Sequence, residues 1–307
     1  MIECAIIGGG PAGLSAALVL GRAKRHVTIF DEDKPRNAVT NKSHGYLTRD
    51  QITPREFKDI AIKEVLQYPT VSIEQETVTA ITKISSGFAV HMSSGREATA
   101  KYVLLATGLV DVLPDIPGLR DFYGHSLYSC PFCDGWEMRD RPLAVIIDQP
   151  QTMHYAMMIS NWTDDLILFT NGADHLNDID RERLAFNNIA IIESPITNFS
   201  GENKELQTVH TEDGRTILRT GGFIAPHSMK PPQLVDSLNL ARTEHHGLQV
   251  NGFGETSLEG MYAAGDTALN VQPQLINAAS EGSKVASMIL KRLIEEEFYK
   301  RPSAISE

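Results

Sequence analysis

Cysteine is scarce in this sequence, which contains only three cysteines among 307 residues. Three cysteines are too few for a fold that is held together by disulfides. Cys130 and Cys133 are separated by two residues, whereas Cys4 lies in an apolar run near the start of the sequence. In a reducing compartment a Cys-x-x-Cys pair is usually redox-active or half of a metal site. The pair is therefore the first candidate for a functional centre.

Long apolar runs are also absent, since no stretch of 18 or more apolar residues occurs. This absence predicts that no segment crosses a membrane. The first 20 residues have no basic segment, and a glycine cluster interrupts their apolar residues. We interpret them as a strand, a turn and a helix rather than as a signal peptide, and we expect a cytoplasmic protein.

Positive charge is in deficit, because 28 Lys and Arg residues face 39 Asp and Glu residues and leave a net charge of −11. A surface this acidic repels phosphate backbones, so a nucleic-acid partner is not expected. The length suits two domains. An apolar content of 42% and a charged content of 22% are typical of a well-packed globular protein.

A glycine-rich turn is the strongest motif in the first part of the chain. It follows a short apolar segment, residues 3–7, that predicts a buried strand, and a predicted helix follows it. The turn comprises Gly8, Gly9, Gly10, Pro11, Ala12 and Gly13. Gly8 permits the tight turn, Gly10 lets a pyrophosphate approach the backbone, and Gly13 lets the helix pack closely on the strand. Free N–H groups at the helix N-terminus would then face the phosphates.

A second predicted strand covers residues 26–30 and is followed by Asp31. The distance from the glycine turn to Asp31 is close to that expected for an acid that accepts a ribose hydroxyl. The alternative is a glycine-rich turn that binds nothing. Strand, helix, second strand and acid occur together here, and this combination favours dinucleotide binding. The motif alone does not separate FAD from NAD.

Two apolar segments farther along the chain make that distinction. Each predicts a strand that ends in a short polar sequence: VLLATG at residues 103–108 and GMYAAGD at residues 260–266. Together with the glycine-rich turn, they resemble the FAD domain of two-dinucleotide flavoproteins. The resemblance implies that the strand ends contact FAD and that Asp266 binds its ribityl chain or phosphate. It also implies a helix that begins near Gln274 and directs its N-terminus at the flavin ring, where a helix dipole stabilises negative charge. The strand-end residues implied in cofactor binding are Thr107, Gly108, Gly265 and Asp266.

Three interpretations of Cys130 and Cys133 are open. A zinc half-site would need a second Cys-x-x-Cys or paired histidines, and His125 nearby has the wrong spacing. A purely structural pair of buried thiols is the second interpretation. A redox dithiol is favoured, because close thiols with one at a turn or helix start have a lowered thiolate pKa.

Asp134 directly follows the cysteine pair and has two interpretations. An adjacent carboxylate can shuttle the proton of a thiolate once the disulfide opens, if its pKa is raised. Alternatively, Asp134 is the N-cap of a helix that begins at residues 135–137. Both roles remain open at this point.

The order of these motifs resembles that of the low-molecular-weight thioredoxin reductases over nearly the whole chain. The resemblance implies an α/β protein with two Rossmann-like domains, the second inserted into the first. The FAD domain would cover residues 1–117 and 245–307, and the pyridine-nucleotide-type domain would cover residues 118–244 and carry the cysteine pair. It also implies a homodimer in which Cys133 lies nearest the flavin and Cys130 exchanges with the substrate.

Two stretches are similar to the thioredoxin reductase-like dithiol oxidases: RNAVTNKSHGYLTRD at residues 36–50 and CPFCDGWE at residues 130–137. Those enzymes close disulfides in small natural products. The similarity implies that residues of the first stretch line the flavin, with His44 and Gly45 favoured over Arg36. The implied lining residues are Arg36, Asn37, His44 and Gly45.

The inserted part departs from the reductases where its own phosphate-binding turn should stand. A strand is predicted at residues 142–147 and a helix at 153–162, but residues 148–152 between them contain no glycine. Side chains there block backbone approach, and Asp148 places negative charge where a pyrophosphate would sit. The strand predicted at 166–169 is not followed by the arginines that hold a 2′-phosphate, and Asp165 and Asp174 are expected to repel it. We infer that neither NADPH nor NADH binds well.

Three functions fit these features. In the first, a dithiol oxidase, a substrate dithiol reduces the cysteine disulfide, FAD takes the electrons and oxygen receives them. In the second, ferredoxin or flavodoxin reduces the FAD, and the cysteine pair reduces a thioredoxin-like protein. In the third, the protein is a non-catalytic flavin-binding redox sensor. The intact Cys-Pro-Phe-Cys-Asp-Gly sequence disfavours the third.

Overall fold

The computed structural model describes residues 1–244, 247–269 and 272–300. Its strands are β1 (Ile2–Ile7), β2 (Val27–Phe30), β3 (Val71–Glu74), β4 (Val78–Ile84), β5 (Gly87–Met92), β6 (Glu97–Leu105), β7 (Val110–Val112), β8 (Leu127–Tyr128), β9 (Leu143–Ile146), β10 (Leu166–Phe169), β11 (Ala190–Ile192), β12 (Ile196–Glu202), β13 (Glu205–Thr211), β14 (Thr216–Leu218), β15 (Gly221–Ile224), β16 (Ser228–Lys230) and β17 (Met261–Ala263). Its α-helices are α1 (Pro11–Arg22), α2 (Pro54–Val65), α3 (Leu119–Phe122), α4 (Pro131–Met138), α5 (Thr152–Ile159), α6 (Asp178–Phe186), α7 (Gln233–Ser237) and α8 (Leu275–Lys300).

The chain forms two compact units, which we call the split unit and the inserted unit. The split unit consists of Met1–Ala38, Arg55–Val110 and Lys230–Glu307. The inserted unit consists of Val39–Pro54 and Asp111–Met229. The predicted inserted domain, residues 118–244, begins and ends somewhat later in the chain than the main segment of the inserted unit, Asp111–Met229. Residues 245 and 246, the His-His pair, lie outside the described residues.

The split unit contains a seven-stranded sheet in the order β3-β2-β1-β6-β5-β4, with β17 also paired to β6. β1, β2, β6 and β17 run parallel and are largely buried, which is why they are nearly continuous apolar runs. The register pairs Ile7 with both Phe30 and Leu105, and it pairs Leu105 with Ala263. The carboxyl ends of these four strands are therefore level with one another.

Helices α1 and α8 of the split unit pack closely together where both carry small residues. A Cβ added to Gly282 of α8 would lie 2.0 Å from the backbone oxygen of Ala12 in α1. The apolar faces of α1 and α8 share one hydrophobic cluster with β1, β2 and β6. The close crossing therefore sets how α1, and with it the glycine-rich turn, sits on the sheet.

The inserted unit contains a five-stranded parallel sheet in the order β11-β10-β9-β15-β8 and a three-stranded antiparallel sheet in the order β12-β13-β14. The strands predicted at 142–147 and 166–169 correspond to β9 and β10. The helix predicted at 153–162 is α5, which ends three residues earlier. No helix of the described residues is long and apolar enough to cross a membrane.

The helix crossing in the split unit gives a testable prediction. Replacing Gly282 with alanine adds a methyl group 2.0 Å from a backbone oxygen, which α1 can avoid only by moving. Overpacking of this kind costs about 1–3 kcal/mol and exceeds the gain of up to about 1 kcal/mol in helix propensity. We expect Gly282→Ala to lower the Tm in a thermal melt of the FAD-loaded protein. The exposed Ser280→Ala change on the same helix is the control, and an unchanged Tm in Gly282→Ala would show that the helices are free to shift.

Candidate functional site

The glycine-rich turn lies directly after β1 and has the steric properties predicted for it. Gly8 has a φ of +109°, and a Cβ there would lie 2.3 Å from the oxygen of Ala106. A Cβ on Gly13 would lie 2.0 Å from the oxygen of Gly8, so that helix and turn pack in direct contact. A Cβ on Gly10 would meet no heavy atom within 4 Å. Open space therefore adjoins the backbone where a pyrophosphate is predicted, at the N-terminus of α1.

Asp31 follows β2 and turns towards the same loop. Its Oδ1 accepts a hydrogen bond from the backbone N–H of Gly9 at 2.9 Å. Its Oδ2 lies 2.5 Å from the ammonium nitrogen of Lys58 on α2. The carboxylate is therefore held at the glycine turn from two sides. The sequence motif indicated the acid, but nothing in it indicated the lysine.

The ends of β6 and β17 meet through a threonine that sequence reasoning did not identify. The hydroxyl of Thr267, which is fully buried, accepts a hydrogen bond from the backbone N–H of Gly108 at 2.8 Å. It also lies 3.3 Å from the hydroxyl of Thr107. Gly108 has a φ of +66°, and a Cβ there would meet nothing within 4 Å. The segment after β6 thus presents an open backbone surface that Thr267 fixes in place.

The segment after β17 is held by two charged side chains. The backbone N–H of Gly265 donates to Oε2 of Glu281 on α8 at 2.9 Å. Burial raises the pKa of Glu281, with the Gly265 hydrogen bond acting in the opposite direction. Asp266 forms an ion pair with Arg36, with 3.3 Å between Oδ2 and Nη1. Sequence reasoning ranked Arg36 below His44, yet the structure brings Arg36 to the predicted FAD ligand Asp266.

The remaining predicted residues of the split unit lie near the same elements. Asn37 is part of the short 3-10 helix Arg36–Val39 and is half-buried. Gln274 directly precedes α8, and its backbone oxygen accepts from the N–H of Ala278 at 2.9 Å. The prediction that a helix begins near Gln274 is thus confirmed. Level strand ends, open backbone at Gly10 and Gly108, and the starts of α1 and α8 make a cradle whose residues fit a dinucleotide.

The cysteine pair lies at the start of α4 in the inserted unit. Cys130 and Cys133 form a disulfide, with their Cα atoms 5.3 Å apart. Cys130 is the N-cap residue, Pro131 opens the helix, and the backbone N–H of Cys133 donates to the oxygen of Cys130 at 3.1 Å. Both cysteines are half-buried. A helix N-terminus stabilises negative charge, so this position favours a thiolate when the disulfide is opened.

The N-cap interpretation of Asp134 is wrong, because Cys130 occupies that position and Asp134 lies within the first turns of α4. The proline at position 131 starts the helix earlier than residues 135–137 suggested. Asp134 is buried, with a relative exposure of 7%. Burial, and secondarily the negative charge of Glu137, raises the pKa of Asp134 from its ordinary value of 3.8 to about 7. A carboxyl group with that pKa can hold or release a proton near neutral pH.

His44 and Gly45 lie in the segment Val39–Pro54 of the inserted unit. His44 Nδ1 is 3.6 Å from Oε1 of Glu137 on α4 and 3.7 Å from Oδ1 of Asp50. Gly45 has a φ of +74°, and its N–H donates to Oδ1 of Asp50 at 2.9 Å. His44 thus adjoins the cysteine-bearing helix, a contact that spacing along the chain did not indicate.

Helix α4 packs on a tryptophan that sequence reasoning also missed. A Cβ on Gly135 would lie 2.5 Å from Cε2 of Trp162, so glycine lets the indole lie flat against the helix. The ring of Phe132 meets the Trp162 ring edge to face, with 6.3 Å between centroids. These contacts fix the helix that carries the disulfide. A glycine beside an aspartate resembles a turn signal in the sequence, which is why its packing role was not visible there.

The turn between β9 and α5 is bridged to the loop that follows β15. Oδ2 of Asp148 lies 2.9 Å from Nε2 of His227, and the side-chain amide of Gln149 donates to the oxygen of Pro226 at 2.8 Å. Nε2 of His175 lies 3.1 Å from the backbone oxygen of Asp148. At the carboxyl end of this parallel sheet, side chains thus occupy the turn that would carry the glycines of a nucleotide site.

Two sequence-based statements about charge at that site need correction. Asp165 precedes β10 and therefore lies at the amino end of the strand, away from the carboxyl end where nucleotides bind. It is paired with Arg219 at 2.8 Å. Asp174 is on the expected side, but Arg181 of α6 reaches it at 3.4 Å and also pairs with Glu193 at 2.6 Å. An arginine is therefore present near the end of β10, and it forms ion pairs with Asp174 and Glu193.

Metal ligation by the cysteine pair would require further ligand side chains close to the two sulfur atoms. Among residues 1–244, 247–269 and 272–300, no cluster of three or more His, Cys, Asp or Glu side chains has the arrangement of a metal site. The disulfide between Cys130 and Cys133 uses both sulfur atoms.

A split Rossmann-like unit with a dinucleotide cradle, together with an inserted unit that carries a Cys-x-x-Cys disulfide, is typical of one class of protein. This class is the flavoprotein disulfide oxidoreductases. A family model described as "Pyridine nucleotide-disulphide oxidoreductase" matches residues 2–282. The chain belongs to this family and, within it, to the low-molecular-weight thioredoxin reductase-like proteins.

Solved structures and individual relatives support the same family assignment. The "Putative Thioredoxin Reductase TrxB" of Bacillus anthracis is 41% identical, has a TM-score of 0.93, and aligns over 97% of this chain and 100% of its own. The crystal structure of HlmI is 31% identical, with a TM-score of 0.90 and coverage of 97% and 94%. The "Probable thioredoxin reductase" of Arthroderma benhamiae is 32% identical over 96% of this chain and 81% of its own length.

These likenesses confirm the predicted family, the two-domain α/β fold and the FAD cofactor. The protein is a flavin-dependent disulfide oxidoreductase that acts on disulfide or dithiol substrates. When bound, FAD supplies a carrier for the two electrons of a dithiol.

The raised pKa of Asp134 gives a prediction for stability. Between about pH 4 and pH 7 the unfolded chain loses this proton while the folded chain keeps it, so stability falls as the pH rises through that window. Asp134→Asn removes this dependence and keeps the shape. At about 1.4 kcal/mol per pKa unit, the variant should be more stable than the wild type above pH 7 by at most about 4 kcal/mol.

Thermal melts of both FAD-loaded proteins from pH 4 to 8.5 measure this difference. The Tm gap should be small near pH 4, widen towards pH 7 and then stay level. Asp140→Asn, at an exposed carboxylate, controls for the loss of one negative charge. A gap that is the same at every pH would contradict a raised pKa at Asp134.

Proposed function

We propose that this protein is an FAD-dependent dithiol oxidase that closes a disulfide in its substrate and passes the electrons to oxygen without NADPH. Cys130 and Cys133 are the redox-active pair in this proposal. The observation that carries it is the turn after β9, which contains no glycine and is bridged to residues 226 and 227 through Asp148 and Gln149. A pyrophosphate needs open backbone at this position, and these contacts would have to break first.

The chemistry begins at the disulfide. One substrate thiolate attacks a sulfur of the Cys130–Cys133 bond and forms a mixed disulfide, while the other cysteine leaves as a thiolate. The second substrate thiol then displaces the enzyme cysteine, and the substrate leaves as a disulfide. The two electrons remain in the reduced cysteine pair, and the two substrate protons are left with the enzyme. When bound, FAD would supply the electron carrier through which the cysteine pair is reoxidised to the disulfide, with oxygen taking up the two electrons and two protons as hydrogen peroxide.

Asp134 is proposed as the group that holds a proton during these steps. It directly follows Cys133 in the chain, is buried within the helix that carries the disulfide, and has a pKa of about 7 because of that burial. A carboxyl group tuned to the working pH can give a proton to a leaving thiolate and take one from an attacking thiol. His44 lies 3.6 Å from Glu137 on the same helix, and Glu137 is the charged group that contributes to the raised pKa of Asp134.

The cradle residues are proposed to bind FAD as follows. The glycine turn and the start of α1 hold the pyrophosphate, Asp31 the adenosine ribose, and Asp266 the ribityl chain. The full proposed set is Gly8, Gly10, Pro11, Ala12, Gly13, Asp31, Asn37, His44, Gly45, Thr107, Gly108, Gly265, Asp266 and Gln274. We further propose FAD-domain limits of 1–117 and 245–307, an inserted domain at 118–244, a homodimeric assembly and a cytoplasmic location.

An anaerobic titration tests the electron donor. The purified protein is followed at its visible flavin band, with NADPH added first and dithiothreitol second. We expect NADPH to leave the band unchanged and the dithiol to bleach it, since the inserted unit has no open phosphate-binding turn. Colour that returns on admission of air completes the oxidase cycle. Prompt bleaching by NADPH would instead identify an NADPH-dependent thioredoxin reductase, and bleaching by reduced ferredoxin alone would favour electron flow in the reverse direction.

A cysteine variant tests the path of the electrons. Cys133→Ser removes one sulfur of the disulfide, so the rate of bleaching by dithiothreitol should fall by on the order of 10³-fold or more. Cys4→Ala, at a fully buried cysteine outside the pair, is the matched control and should keep the wild-type rate. If Cys133→Ser retained full turnover, neither the oxidase nor the ferredoxin-linked scheme could stand.

A further inference from the structure

A buried lysine stands behind the adenosine end of the cradle. Lys58 on α2 has a relative exposure of 8%, although lysine is among the residues least often buried. Its Nζ lies 2.5 Å from Oδ2 of Asp31 and 2.6 Å from Oδ1 of Asp33. Asp33 also pairs with Arg55 at 3.1 Å. The ammonium group is therefore enclosed by the two carboxylates that follow β2.

The charge on this lysine is stabilised where it stands. Burial alone lowers the pKa of Lys58, but hydrogen bonds and attraction from Asp31 and Asp33 outweigh that effect, and the pKa is raised. Removing water from a charged amine is costly unless partners compensate. A structural clip for α2 would be satisfied at lower cost by an exposed pair such as Arg55 with Asp33, which already joins α2 to the segment after β2. The burial of Lys58 therefore indicates that its charge is required next to Asp31.

Asp31 links this lysine to the glycine turn. Its Oδ1 accepts from the Gly9 N–H and its Oδ2 from Lys58, so each oxygen has one donor among the described residues. An ionised carboxylate has about four lone-pair positions, so about two remain. Two remaining acceptors, one on each oxygen, match the two vicinal hydroxyls of a ribose. Since Lys58 and Gly9 together fix the plane of the carboxylate, they also fix the direction of those acceptors.

We propose that Lys58 is a positioning residue for the adenosine ribose of FAD, acting through Asp31. The proposal rests on the proposed ribose contact of Asp31. Lys58 orients the carboxylate, so that both hydroxyls of the ribose donate to it in the bound state. Lys58 itself does not touch the cofactor in this assignment. Its effect should therefore depend on whether the ribose hydroxyls are present.

Equilibrium binding to the apoprotein tests this dependence. FAD and an FAD analogue with 2′-deoxyribose in its adenosine part are titrated by flavin fluorescence. In Lys58→Met, the Kd for FAD should rise by about 10- to 100-fold, as expected for loss of hydrogen bonding to a charged group. The Kd for the deoxy analogue should rise much less. Lys63→Met, at an exposed lysine on the same helix, should change neither value.

The outcomes separate the proposal from the role of Asp31. Wild-type protein that binds both cofactors equally would contradict the ribose contact of Asp31. Wild-type protein that prefers FAD, together with a Lys58→Met variant that keeps the same preference, would overturn only the role of Lys58. An equal loss for both cofactors would identify Lys58 as a structural clip.

Two milder variants keep the test decisive if Lys58→Met does not fold. Lys58→Arg keeps the charge but replaces the compact ammonium with a planar group, so the preference for FAD over the deoxy analogue should shrink. Asp33→Asn leaves the contact between Lys58 and Asp31 in place, and the preference should persist. A preference that is unchanged in Lys58→Arg and lost in Asp33→Asn would show that Asp33, and not Lys58, positions Asp31.

Discussion

Parallel pairing of β1 with β2 and β6, and of β6 with β17, is the constraint on which the cofactor site depends. Because the register sets Ile7, Phe30, Leu105 and Ala263 level with one another, whatever follows each strand arrives at the same edge of the sheet. Segments that are as far apart in the chain as the glycine turn and residues 265–267 are thereby brought together. Buried backbone groups and apolar side chains hold this register, since a slip would expose them.

The inserted unit repeats the parallel architecture but uses its carboxyl edge differently. In the split unit, glycines leave the backbone after β1 open, with no atom near a Cβ on Gly10. After β9, polar side chains occupy the equivalent turn and bind across to residues 226 and 227. The same strand arrangement therefore leaves the backbone open after β1 and carries side-chain bridges after β9. A few side chains decide this difference, while both units contain sheets with parallel strands.

The cysteine helix shows how burial and local sequence combine to prepare a reactive group. Pro131 starts α4 directly after Cys130, and Gly135 lets Trp162 pack against the helix. Asp134 of the same helix is buried, and removal from water raises its pKa to about 7. The proton-holding capacity of this carboxyl group is therefore a consequence of tertiary contacts, although its position beside the disulfide is set by the chain.

The resemblance to a known family implied the fold class and the start of α8, and local patterns were sufficient for the strands that flank the glycine turn and for the cysteine pair. Short-range sterics and the apolar periodicity of strands determine these features, and both are visible in a sequence. Contacts between distant segments were not visible. The contacts of Lys58 on α2 with Asp31 after β2, of Thr267 with the segment after β6, and of His44 with Glu137 each depend on three-dimensional packing. The sequence by itself determined which chemical groups are present and in what order, whereas the tertiary structure decided which of them touch and which are removed from water.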